Sequence, residues 1–323
     1  MPAEARLLPH RPSSRAGGSP HDGPIGAPRV VSAWAGEGPV HEEPVDVDGA
    51  TLIVAERRLR LVGPDGVERW SRIEESAGPA LYEDQQLAVA LAAGGVQQLS
   101  ASRGEVKRSL EGGAAAIGGP LLLNGELAWV DEAGGRPTGL CADEERIFVA
   151  LADGHLAATA PRGRLWTSPL PGAPVGHPIT DGGVVYVAWR DGSGGGLSAF
   201  GAHDGEKLWT GLLAAAPSTP PTLGEALYLG LRGGAVAAIS TDGGILRWTA
   251  ELGAEVSARP AVSRTGLYVG DGDGRLHRLD KDDGGLIFTV ELPAPVAATP
   301  LLRPGALQVA LTDGQLLTLR EGR

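Results

Sequence analysis

A landmark string recurs in this chain at a fixed distance. One copy runs from Pro220 through Tyr228, Gly233-Gly234 and Asp242-Gly243-Gly244 to Trp248, and the next from Pro260 through Tyr268, Asp273-Gly274 and Asp283-Gly284-Gly285 to Phe288. The offset between the two is 40 residues at each opening proline, tyrosine and closing aromatic. Each copy holds short apolar runs divided by Gly-containing turns, and a single copy cannot bury both of its faces. A period of this length with four short strands per unit predicts a β-propeller, in which each sheet is covered by its neighbours.

The whole composition is consistent with that fold. Gly (50) and Pro (25) make up almost a quarter of 323 residues. They fall at regular turn positions between apolar runs, which points to many tight turns. The formal net charge is −11, with no block of Lys and Arg. That argues against nucleic acid as a partner, since phosphate neutralisation supplies most of such affinity. The one cysteine, Cys141, rules out an intramolecular disulfide, so nothing marks an oxidising compartment. Residues 1–28 carry Arg6, Arg11 and Arg15 without an apolar run, so they read as a disordered arm, not as a signal or a membrane span. Taken as written, the sequence is expected to be cytoplasmic and not to insert into a membrane. A start codon misassigned downstream of an export signal would instead place it in the periplasm or envelope.

The propeller is expected over residues 29–323. Seven prolines open units: Pro44, Pro79, Pro120, Pro178, Pro220, Pro260 and Pro300. An outer-strand aromatic stands 9 to 12 residues before most of them, at Trp34, Trp70, Trp166, Trp209, Trp248 and Phe288, with Arg108 in the remaining slot. This predicts seven four-stranded blades. The last unit ends at Arg323 without its fourth strand, and Val30-Val31-Ser32-Ala33-Trp34 supplies it. The N-terminal strand is therefore expected to complete the last blade and close the ring, which removes exposed edges. From Pro120 to Trp166 is 46 residues, against 26 to 31 in the other units. About seventeen residues are extra there and read as an inserted hairpin that includes Trp129, Gly134-Gly135 and Cys141. The competing reading is an eighth, degenerate blade opening at Pro120.

The Gly-x-x-x-Trp closure of the unit, at Gly66/Trp70, Gly205/Trp209 and Gly244/Trp248, resembles the repeat of the pyrroloquinoline-quinone (PQQ)-like propellers. That family includes quinoprotein alcohol dehydrogenases and BamB-type envelope assembly factors. The resemblance implies that Trp70, Trp166, Trp209 and Trp248 staple neighbouring blades together, each packed against a turn, and Trp34 occupies the same slot. It specifies the fold and leaves the activity open. The dehydrogenases of the family imply a larger ring, paired cysteines and a calcium site, and this chain has a single cysteine.

Other candidate chemistry is weak. Asp280-Lys281-Asp282-Asp283-Gly284-Gly285 begins like a calcium loop, yet Gly284 stands where an oxygen ligand is needed, and the preceding repeat shares the later offsets. It reads as an Asp-Gly turn. No histidines pair at zinc spacing; His155 and His277 follow B–C turns and read as loop residues. No Gly-x-Ser-x-Gly is present, and the Gly-rich run 191–196 reads as a flexible B–C loop without a helix start. Cys141 reads as a small buried hydrophobe. No catalytic, cofactor-binding or metal-binding residue is assigned, and no cofactor is expected.

What remains is surface. The candidate interaction surface comprises Trp129 in the inserted hairpin together with Trp189 and Arg190 at the long loop, since Trp and Arg are common interface anchors. The chain is thus expected to be a monomeric, non-enzymatic scaffold that binds a protein partner or ligand through its loop faces. The alternatives are a quinoprotein-type or lyase enzyme working in the central channel, which requires convergent charged residues there, and a BamB-like envelope assembly factor.

Overall fold

A computed structural model describes residues 23, 28–36, 40, 43–55, 58–73, 77–83, 85–91, 95–110, 121–123, 126–128, 135–143, 145–160, 163–192 and 194–321. Among these, every regular element is a β-strand, and seven four-stranded antiparallel blades form a β-propeller. Strands A to D run from the central channel outward. Blade 1 is Val45–Val47, Ala50–Ala55, Arg58–Val62 and Glu68–Ile73, and blade 2 is Ala77–Glu83, Gln86–Leu91, Val96–Ser100 and Val106–Leu110. Blade 3 is Pro137–Ala142, Ile147–Leu151, His155–Ala160 and Gly163–Pro169. In blade 4, strand A is broken into Ala173–Pro174 and Ile179–Thr180, followed by Val184–Asp191, Gly194–Gly201 and Lys207–Leu213. Blade 5 is Thr222–Leu223, Leu227–Leu231, Ala235–Ile239 and Leu246–Glu251. Blade 6 is Ala261–Val262, Leu267–Gly270, Arg275–Leu279 and Leu286–Glu291.

Blade 7 takes Leu301–Arg303, Ala306–Ala310 and Gln315–Glu321 from the C-terminus and Pro28–Ala35 from the N-terminus. The closing strand is antiparallel to strand C, with Ala35 opposite Gln315, Trp34 opposite Leu316 and Pro28 opposite Glu321. The expected closure is therefore present. Of the expected arm, Gly23 is described and is buried; a Cβ there would meet the Tyr268 hydroxyl at 2.7 Å and Leu302 Cδ2 at 3.0 Å.

Strands B and C are buried on both faces, which explains their nearly continuous apolar runs. Leu227–Leu231 and Ala235–Ile239 are buried at every position. The cores lie between blades: Tyr186, Leu197 and Ala199 of blade 4 pack with Leu227, Leu229 and Ala237 of blade 5. Each fully buried large aliphatic side chain contributes about 1.5–3 kcal/mol. Strand D alternates exposed and half-buried positions and forms the rim, where Leu212 is 76% and Ile73 63% exposed.

Two expectations need correction. The extra segment precedes blade 3 and does not interrupt it. Leu121–Leu123 and Glu126–Ala128 form a separate two-stranded hairpin between blades 2 and 3, and blade 3 opens at Pro137, 29 residues before Trp166. Cys141 thus belongs to the innermost strand of blade 3, opposite Phe148, and lies outside the insertion. The run 191–196 is also not a loop along most of its length: Asp191 and Gly194, Gly195 and Gly196 are strand residues. Trp189, Arg190 and Asp191 pair with Gly196, Gly195 and Gly194, so both strands of the hairpin are eight residues long. Close packing explains the glycines: a Cβ on Gly196 would lie 2.1 Å from the Gly211 carbonyl oxygen, and one on Gly195 2.6 Å from Pro217 Cδ.

Candidate functional site

The repeat tryptophans join consecutive blades. The indole N–H of Trp70 donates to the Ala101 carbonyl at 2.9 Å, Trp166 to Ala202 at 3.2 Å, Trp209 to Thr241 at 3.0 Å and Trp248 to Lys281 at 3.0 Å. Each acceptor lies between strands C and D of the next blade. Each ring also covers a left-handed glycine of that turn: a Cβ on Gly104, Gly205, Gly244 or Gly284 would come within 2.4–2.8 Å of the tryptophan. Within its own blade the ring is met by a strand B aromatic, with centroids 5.9 Å apart for Phe148–Trp166, Tyr186–Trp209 and Tyr228–Trp248. Trp34 on the closing strand faces blade 1, with the Arg60 guanidinium 5.3 Å from its ring centroid.

Of the residues expected at an interaction surface, Trp189 is buried and Arg190 is exposed. Trp129 lies outside the described residues. Trp189 is 5% exposed, its N–H donates to Ser198 Oγ at 3.0 Å, and Ser198 Oγ in turn lies 3.0 Å from Thr210 Oγ1. Its ring is therefore part of blade 4's interior and not a surface anchor. Strand B continues through this position, which turns Trp189 inward.

A charged cluster that the sequence reading missed lies near the axis. Glu43 precedes strand A of blade 1, Arg259 precedes that of blade 6, and Thr299 that of blade 7. One Glu43 oxygen accepts from Arg259 Nη2 at 2.9 Å, and the other from Thr299 Oγ1 at 2.9 Å. Blades 1 and 6 are separated by blade 7, so their side chains can meet only close to the channel. The Arg259 side chain is 6% exposed and that of Glu43 39%, which places the pair at the boundary with solvent. A signal was available: Glu43, His177, Thr219, Arg259 and Thr299 each precede a unit-opening proline. A second network seals blade 7 to blade 1. Arg303 forms an ion pair with Asp46 and donates to the Ala50 carbonyl at 2.9 Å, Thr51 Oγ1 at 3.1 Å and Gln308 Oε1 at 3.1 Å.

The remaining polar candidates have structural partners. His277 is buried, with Nε2 2.9 Å from Asp271 Oδ2 and Nδ1 3.0 Å from Thr289 Oγ1. The other Asp271 oxygen accepts the Asp273 and Arg275 N–H groups of the B–C turn. Asp280 and Asp283 accept the N–H groups of Asp282 and Gly285 at 2.8 Å each, which ties up the acidic string as a turn. Burial, reinforced by Asp143, pushes the Cys141 thiol far up, so its thiolate is disfavoured. Among the described residues, no group of three His, Cys, Asp or Glu is placed to hold a metal ion, and no helix is long and apolar enough to cross a membrane.

Comparison with known proteins places this architecture. A family model described as outer membrane protein assembly factor BamB matches residues 122–255 and 232–322, well over half of the chain. Outer membrane protein assembly factor BamB of Nitrosomonas eutropha is 27% identical over 222 residues, which is 64% of this chain and 46% of that protein. The match thus spans about half the length of that relative. The crystal structure of the computationally designed Ika8 protein aligns with a TM-score of 0.75 at 14% identity, over 91% of this chain and all of that one. BamB from Moraxella catarrhalis aligns with a TM-score of 0.56 at 17% identity, also over 91% of this chain and all of that one. At these identities the two structures speak to fold alone. The repeat, the ring and the family match agree, and the chain belongs to the PQQ-like β-propeller family represented by outer membrane protein assembly factor BamB.

Proposed function

We propose that this chain is a non-enzymatic scaffold that holds a protein partner during envelope assembly in a bacterium. The observation that carries the reading is the family match across residues 122–322, a family described by an assembly factor. The ring supports it physically. Staples between blades and the Arg303 seam hold the loops in fixed positions, so presenting them to a partner costs little conformational entropy. Near the axis, the Glu43 carboxylate is engaged by the Arg259 guanidinium and the Thr299 hydroxyl. The test is affinity purification of the tagged full chain from separated envelope and cytosolic fractions of the native host. The expected result is recovery in the envelope fraction with one stoichiometric protein. Recovery only in the cytosol, alone at every salt concentration, would refute the reading.

A further inference from the structure

The device that ties blade 5 to blade 6 has no counterpart between blades 6 and 7. Trp248 of blade 5 donates to the Lys281 carbonyl at 3.0 Å, and Tyr228 on strand B of the same blade donates to that carbonyl at 3.3 Å. Lys281 lies between strands C and D of blade 6, so one turn caps two aromatic side chains of the preceding blade. Blade 6 repeats the aromatic pair as Tyr268 and Phe288, with ring centroids 6.5 Å apart. Phe288 has no N–H to donate. It faces blade 7, whose strands C and D come from opposite ends of the chain, so no C–D turn joins them.

Tyr268 is fully buried all the same. Gly23 lies at the tip of its ring. A Cβ on Gly23 would come 2.7 Å from the Tyr268 hydroxyl oxygen, 2.8 Å from its Cζ and 3.0 Å from Leu302 Cδ2. Tyr268 belongs to strand B of blade 6 and Leu302 to the innermost strand of blade 7, and both are part of the apolar core between these blades. Gly23 is itself buried, five positions before the closing strand begins at Pro28. Its φ is not in the left-handed region. The backbone there would accept any residue type, so the close approach of Tyr268 and Leu302 alone demands glycine.

We propose that Gly23 is a second latch point of the ring. It caps the Tyr268–Leu302 contact where blade 7 has no C–D turn of its own, so the N-terminal end of the chain holds blade 7 at two places. The first place is the antiparallel pairing of Pro28–Ala35 with Gln315–Glu321. Along that strand Arg29, Val30, Val31, Ala33 and Ala35 are exposed, and Trp34 is half-buried. Pairing along one edge with so little burial makes a strand that opens locally at low free energy. The cap acts on a different surface, the buried tip of Tyr268. Five positions of chain join the two contacts, so each keeps the other at high effective concentration. A seated Gly23 therefore lowers the population of the frayed strand. The latch is independent of the scaffold reading above and concerns how the ring stays closed.

Gly23→Ala and Gly272→Ala in the full chain supply the test. Gly272 also lies outside the left-handed region, and a Cβ there would meet nothing closer than 3.6 Å. Thermal unfolding and backbone amide exchange are followed for each variant, and circular dichroism checks that each is folded. Gly23→Ala is expected to lower the midpoint by roughly 3 °C or more and to speed exchange at the closing strand about tenfold, while Gly272→Ala changes neither. Tyr268→Leu removes the hydroxyl and Cζ that a Cβ on Gly23 would meet. Combined with it, Gly23→Ala should lose at most about half as much. An unchanged midpoint with unchanged exchange in Gly23→Ala overturns the latch. So does a lower midpoint without faster exchange at the closing strand, which would separate Gly23 from closure. A loss as large beside Tyr268→Leu as without it overturns the proposal too, because the cap would then not act through Tyr268.

Discussion

Glu43 and Arg259 stand 216 positions apart in sequence and 2.9 Å apart in space, with a whole blade between their own two. The pair is possible because blade 7 narrows to the channel, where Thr299 binds the second Glu43 oxygen at 2.9 Å. One carboxylate therefore ties three consecutive blades across the join between the chain's ends.

Replacing Glu43 should loosen that join. Glu43→Ala removes this carboxylate from an arginine side chain that is 6% exposed. The pair is neither fully solvated nor fully buried, so the expected loss is about 1–3 kcal/mol, between the values for exposed and buried pairs. Glu43→Gln keeps an acceptor for Thr299 and should cost less. Urea unfolding of both variants measures the difference.

The tryptophan staples make a matched prediction at two glycines of blade 5. Gly244 has φ +66°, and a Cβ there would lie 2.4 Å from Trp209 Cε3; Gly233 has φ +92°, and a Cβ would meet nothing within 4 Å. Gly233→Ala should lose roughly 1 kcal/mol from backbone strain alone. Gly244→Ala adds displacement of the indole and its bond to Thr241, so it should lose at least about 2 kcal/mol more. Equal losses in thermal melts would mean that the ring does not press on the turn.

Tyr228 gives a pH prediction. Burial first, and then the Glu225 carboxylate, push its phenol up to about 12, while its hydroxyl donates to the Lys281 carbonyl at 3.3 Å. The unfolded phenol ionises near 10. A raised folded value means that the contribution to stability is complete below about pH 10 and is lost as pH rises toward about 12. Tyrosinate absorbance should therefore show Tyr228 ionising late in the folded protein, and Tyr228→Phe should flatten the stability loss over that window.

The ring itself was legible because its determinants are local and repeated: an opening proline, a two-sided apolar strand, a turn glycine and a closing aromatic. Closure was legible for the same reason, since the missing fourth strand of the last unit had a match at Val30–Trp34. The position of blade 3 was not, because Leu121–Leu123 and Pro137–Ala142 are both strands in the long unit and only pairing shows which one leads to Trp166. The Gly-rich run after Trp189 suggested a loop by composition, yet its glycines are needed where backbones and Pro217 crowd the strand. Glu43 and Arg259 escaped notice because their contact exists only after the ring has closed. Phe288 stood out as an exception in the tryptophan slot, but it faces blade 7, whose strands C and D come from opposite ends of the chain.

The most direct test is calorimetric unfolding of the full chain beside a variant lacking residues 29–36. That deletion removes the closing strand opposite Gln315–Glu321 and strips Arg60 of the Trp34 ring. The account predicts a midpoint lower by roughly 5 °C or more, with a broadened transition as blades 7 and 1 come apart first. An unchanged midpoint and an equally sharp transition would contradict a scaffold closed and held rigid by its N-terminal strand.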